Sequence, residues 1–353
     1  MSQDRQHEID VLRGIACTTV VAFHYLYRGQ QDDWITDSAP PMLAEIARYG
    51  YLGVSLFFLI SGYVIFHSAQ GATVRAFAAS RVARLYPAYW VSVCLTAGVV
   101  WALASSTFAV GLRDDLLNLT MVMHWLPDAL GVALVDGAYW SLAVEFQFYL
   151  LMGAVLWVGA LARIEALLVV WLLLSIADFV RRVYLPEVWL ALQWAPLFSA
   201  GILFHRIRHA GWTRQRYLLL WCCFLVTLAR ATAPDELAKG AADGSVRSGW
   251  VVAAVLTLCF AVFAWIAAGR WRLRGSWVTR WIGALTYPVY LVHQNIGYLL
   301  LEAWKPSGLG LGLRLAGVVV VVLGVSVLIH RGVERPLGPR LRRWIHPVVV
   351  APA

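Results

Sequence analysis

The sequence predicts an all-α fold, a polytopic transmembrane helix bundle of ten spans, and three observations predict it. Of the 353 residues, 60% are hydrophobic and only 14% charged, against roughly 25% charged in an ordinary soluble domain. The apolar residues fall in blocks of about twenty, the length that crosses a hydrocarbon core of ~30 Å at ~1.5 Å per helical residue. Basic residues gather in alternate gaps between those blocks, as retention of Lys and Arg on the cytoplasmic side requires. A soluble enzyme, a disordered chain and a collagen-like repeat are excluded.

Taken in order, the spans lie near 14–27, 50–68, 85–104, 140–158, 164–180, 188–205, 217–233, 249–268, 281–301 and 309–330. The first carries His24, lacks a small-residue cleavage site and is followed by many equally apolar runs, so it reads as a span and not as a cleavable signal. The stretch 116–135 is apolar but interrupted by Asn118, His124, Pro127 and Asp128. With the N-terminus inside and this stretch not crossing, 19 of the 29 Lys and Arg are cytoplasmic. Letting it cross swaps every later loop, and the inside count falls. It is therefore expected to be a re-entrant or interfacial segment on the outer side, with both termini in the cytoplasm. No loop is long enough for another domain and no internal repeat is visible, so 1–353 is expected to be one transmembrane domain with no fused soluble domain.

The net charge of +9 is concentrated at the cytoplasmic face. Orientation and contact with anionic membrane lipid explain most of it, and no nucleic-acid partner is expected. All five cysteines lie inside apolar runs and read as small packing residues, not as a disulfide framework. They show no metal-ligand spacing, and no metal is expected.

An ionisable group in hydrocarbon costs several kcal/mol unless it is paired or hydrated, which makes it a functional candidate. Three stand out: His24, Glu145 and His293. Counting from the span ends at ~1.5 Å per residue puts them roughly 16, 20 and 18 Å above the inner face. His24 follows Arg13 by eleven residues, within about 20° of three full turns, so both share one helix face. Neutral His is the usual general base for a hydroxyl, and a carboxylate can fix its tautomer and stabilise its cation, so His24 and Glu145 are a candidate base and partner. Ser141 and Tyr149 fall one turn before and after Glu145 and form a polar stripe. Cys17 shares the face of His24, but a packing role suits it better than covalent catalysis. His293, with Tyr290, Gln294 and Asn295, reads equally as a substrate contact or as interhelical hydrogen bonding. His67, His205, His209, His330 and His346 lie at span ends and receive no role.

The segments EIDVLRGIACTTVVAFHYL (8–26), GYLGVSLFFLISGYVI (50–65), RVARLYPAYW (81–90), YWSLAVEFQFYLL (139–151), TYPVYLVHQNI (286–296) and VERPLGPRLRR (333–343) run in order along the chain. Together they resemble the acyltransferase-3 family of bacterial integral membrane O-acyltransferases. The resemblance implies transfer of an acyl group, often acetyl, from cytoplasmic acyl-CoA as co-substrate to a hydroxyl of a carbohydrate or other small acceptor. The family's basic and catalytic positions fall on Arg13, His24, Arg81, Arg84 and Glu145. Its Ser-Gly pair falls on Ser61 and Gly62. Ser61, Tyr86, Trp140 and Ser141 in the matched segments, with His293, become candidate substrate contacts. At the cytoplasmic mouth, Arg13, Arg81 and Arg84 suit CoA phosphates because a guanidinium pairs them in a planar, bidentate way. The competing class is a proton-coupled transporter or flippase of a glycan or lipid intermediate, using the same three groups as a relay. Neither an inverted repeat nor a matched pair of broken spans is seen for it.

Overall fold

A computed structural model describes residues 5–123, 131–181, 187–239 and 246–346. The described residues form helices, turns and irregular chain, with no strand among them. We number the helices of ten residues or more: α1 (His7–Phe23), α2 (Gly53–Ala69), α3 (Val74–Ala102), α4 (Tyr139–Trp157), α5 (Ile164–Arg181), α6 (Ala195–Ala210), α7 (Arg214–Ala231), α8 (Gly249–Ala267), α9 (Trp277–Val292), α10 (Gln294–Ala303), α11 (Leu311–Ile329) and α12 (Arg335–Ile345).

Among the described residues, seven helical stretches are long and apolar enough to cross a membrane: His7–Gln31, Pro41–Ala69, Val74–Ala102, Tyr139–Trp157, Ala160–Arg181, Gly249–Ala267 and Leu311–Ile345. The spans expected at 188–205, 217–233 and 281–301 are helical too, yet stand outside that set. α6 has only 16 residues, α7 carries three arginines in its 18, and the last is split at His293 into pieces of 16 and 10. Length and composition thus yield seven crossing helices where hydropathy blocks predicted ten. In the interrupted stretch, Leu112–Asn118 is a short helix followed by turns to Met123. His124, Pro127 and Asp128 of the expected re-entrant segment lie outside the described residues.

The chain divides into two compact units. One comprises residues 1–67 and 161–286, the other 68–160 and 287–353. In the first, α2 has no Asp, Glu, Lys or Arg and is mostly buried, as a helix apolar on all sides should be. It runs parallel to α6 at very close range. A Cβ on Gly62 would overlap the Phe198 carbonyl, and one on Gly201 would overlap that of Leu59, the small-residue contact that lets helix backbones touch in a membrane. Phe58 fills the space beside it, with ring centroids 4.9 Å from both Trp194 and Phe198. Charged groups tie the helix ends. Glu165 accepts from Arg206 at 3.0 Å and Arg216 at 2.7 Å, while Arg216 also caps the end of α6 by donating to the Ala210 and Gly211 carbonyls.

In the second unit, Thr73 caps α3 by accepting from the Ala76 N–H at 3.2 Å. Tyr86, Tyr89 and Trp90, one face of α3, donate to the carbonyls of Thr120, Asn118 and Leu119 at 3.0, 2.6 and 3.0 Å. They are carbonyls at and just after the C-terminal end of the short helix, so α3 holds that segment in place.

Candidate active site

In the first unit, α1 continues without a break into a π-helical turn, His24–Arg28. His24 is its first residue. Such turns insert one extra residue into a helix and recur at functional sites. Arg13 and His24 are therefore joined by regular α-helix, as the spacing argument requires, and both are half-buried. The Phe23 ring meets the His24 ring edge-on at 5.2 Å. Cys17 is buried and its thiol donates to the Thr286 carbonyl at 3.7 Å, which suits packing and not attack on a substrate. Ser61 is half-buried beside Gly62 on α2.

In the second unit, α4 carries the polar stripe expected of it. The Tyr149 hydroxyl donates to Glu145 Oε1 at 2.8 Å. The Arg81 guanidinium lies over the Tyr149 ring, 5.6 Å from its centroid. Arg81, Tyr149 and Glu145 thus form one row. The sequence puts Arg81 at the cytoplasmic mouth and Glu145 roughly 20 Å above the inner face; in the structure Tyr149 touches both side chains. α3 starts at Val74, eleven residues before the expected span start, so Arg81 is already two turns up the helix. Arg84, one turn further along α3, is exposed.

Above that row, the start of α4 is held by a buried polar network. Ser141 Oγ and Tyr290 Oη are 2.6 Å apart, and the Tyr290 hydroxyl also donates to the Ala138 carbonyl at 3.2 Å. His293 is fully buried, with Nδ1 2.8 Å from the Tyr290 carbonyl and its ring 5.4 Å from that of Tyr290. The structure therefore brings Ser141 and His293 to one cluster through Tyr290. Tyr139 donates to the Leu291 carbonyl at 3.0 Å. Asp136 accepts from the Ala138 N–H at 2.9 Å and the Asn295 N–H at 3.0 Å, and Asn295 returns a bond to the Val135 carbonyl at 2.9 Å. Asp136 lies outside the crossing helices, and burial pushes its carboxyl up to about 7 against the pull of those two N–H groups. Trp140 is half-buried next to Ser141. Tyr86 has its phenol engaged with the segment it clamps.

Sequence reasoning did not find Asp136, the π-turn or the joining role of Tyr290. A lone acidic residue ending an apolar stretch just before a span was the available signal for Asp136. Nothing local marks the π-turn.

The family model described as an acyltransferase domain matches residues 6–331. The chain is similar to acyltransferase MdmB of Streptomyces mycarofaciens, 28% identical across 97% of this chain and 93% of that protein. It is also similar to peptidoglycan O-acetyltransferase OatA of Listeria monocytogenes, 28% identical across 42% of this chain and 24% of that one. No solved structure matches it.

Proposed function

Because the chain belongs to the acyltransferase-3 family of bacterial integral membrane O-acyltransferases, we propose that it moves an acyl group, acetyl foremost, from cytoplasmic acyl-CoA to a hydroxyl of a carbohydrate or glycosylated acceptor, in the cell envelope or exported. His24 takes the proton of the acceptor hydroxyl as its oxygen attacks the thioester carbonyl. The C–S bond breaks, and the departing CoA sulfur takes up the proton that His24 held. Glu145 is the carboxylate that favours the imidazolium. Arg13, Arg81 and Arg84 hold the CoA phosphates. Ser141 and His293, with Ser61, Tyr86 and Trp140, contact the acceptor.

The observation that carries this reading is the row of Arg81, Tyr149 and Glu145. It ties a side chain suited to a polyanionic donor to the carboxylate proposed for the reaction. The Listeria relative is named for O-acetylation of peptidoglycan, which supports acetyl as the group and a glycan as the acceptor. We further propose ten crossings in the cytoplasmic (inner) membrane with both termini inside, α6, α7 and the α9–α10 pair joining the seven long helices, all within one catalytic domain. The distribution of arginine supports that orientation.

Membranes carrying the protein and supplied with labelled acetyl-CoA test the reading. Label should pass to envelope glycan or a secreted product. In Arg81→Ala with Arg84→Ala the apparent KM for acetyl-CoA should rise roughly tenfold or more, and an unchanged KM contradicts their assignment. Mass spectrometry of envelope glycans and secreted products from a deletion strain identifies the acceptor by its lost acyl mass.

A further inference from the structure

Three histidines with no part in the proposed chemistry come together in the first unit. His205 and His209 stand one turn apart on α6, and His67 stands near the end of α2. One ring nitrogen from each lies within 4.8 Å of the others. His67 Nδ1 and His205 Nε2 are 3.0 Å apart, and the His205 and His209 ring centroids are 4.3 Å apart. His205 is fully buried, and its Nδ1 finds no hydrogen-bond partner among the described residues. A buried imidazole whose hydrogen bonding runs only into a cluster of other imidazoles calls for something to engage those lone pairs.

A single proton between His67 and His205 leaves His209 unexplained. A metal ion serves all three. Zinc–imidazole bonds of ~2.0–2.1 Å in tetrahedral geometry set the ligand nitrogens roughly 3.3–3.4 Å apart, inside the range already present. The scaffold is stiff where this matters, since the Gly62 and Gly201 contact fixes the α2–α6 distance one to two turns away. Nearby positive charge is partly offset: Arg206 shares Glu165 with Arg216, at 3.0 and 2.7 Å, and Arg208 lies 3.7 Å from Glu8. His67 is half-buried and His209 exposed, so a fourth position opens outward. Imidazole donors without an oxygen ligand select borderline metals over magnesium or calcium.

We propose that His67, His205 and His209 form a three-imidazole site for a divalent transition-metal ion of the zinc class, with its fourth position open to water or a small anion. The site does not rest on the acyl-transfer reading. It reverses the expectation that no metal binds, and the His-x-x-x-His spacing at 205 and 209 was the sequence signal for it.

The test uses full-length protein in detergent, with any affinity tag removed, stripped by chelator and titrated with Zn2+ or Co2+. Wild type should retain an equimolar amount of zinc through gel filtration, rise in melting temperature with zinc, and show the visible absorption of four-coordinate cobalt. His209→Ala, at an exposed position, should stay folded and lose affinity by roughly tenfold or more. His67→Gln should do the same. Absence of equimolar uptake by wild type, or uptake and thermal shift unchanged in both variants, overturns the proposal.

Discussion

Tyr149 bridges a carboxylate and a guanidinium, a job that its neighbours on α4 cannot do. Its hydroxyl donates to Glu145 and its ring faces Arg81, so Tyr149→Phe separates the two contacts by keeping the ring and deleting the donor. The variant should fold normally and lose roughly tenfold in kcat, with a smaller change in KM for acyl-CoA. Steady-state kinetics check this, and a change confined to KM contradicts the role. Asp136 makes a prediction of a different kind. Its folded carboxyl keeps a proton up to about 7, whereas an unfolded Asp loses it near ~3.9. The folded state therefore binds the extra proton between those values, and stability falls as pH rises through that window and levels off above it, by up to ~4 kcal/mol. Apparent melting temperature in detergent should decline from about pH 5 to 7, and Asp136→Asn should flatten that decline while lowering stability at the acid end through a mismatched N–H contact.

At the scale of elements, the α2–α6 crossing is the most sharply constrained feature of the first unit. Gly62→Ala places a methyl group against the Phe198 carbonyl, which is backbone and cannot rotate away. The two helices must separate, at a cost of ~1–3 kcal/mol, and a fall in melting temperature in detergent would register it. An unchanged melting temperature would mean that the helices sit further apart. This crossing also shows what the sequence made legible. Apolar blocks of span length identified α2, α3, α4, α5 and α8 as helices, because hydrocarbon forces every backbone polar group to pair within its own segment. The blocks misplaced the start of α3, since the Arg-bearing turns from Val74 continue the same helix and hydropathy does not register a helix that runs on into polar surroundings. The face shared by Arg13 and His24 was readable because it depends on α-helical spacing alone. The π-turn at His24 was not, because one residue inserted into a helix leaves the composition unchanged. The pairing of Asp136 with Asn295, 159 residues apart, depends on tertiary folding and has no local signature.

For the whole molecule, charge is scarce, so the position of each charged group carries information. In a chain with 14% charged residues, most arginines fall in the gaps that the proposed topology puts on one side of the membrane, and a few ionisable groups sit within the apolar helices. His24 and Glu145 belong to that small set, in a chain whose family transfers acyl groups, and the proposed mechanism stands or falls with His24 as the base of that transfer. The most direct measurement is release of free CoA thiol from acetyl-CoA by the purified protein with an acceptor extract, wild type against His24→Ala, with folding of both monitored by melting temperature. Wild type should turn over, and the folded variant should fall to below roughly one hundredth of the wild-type rate. Turnover by folded His24→Ala at the wild-type rate would contradict that mechanism.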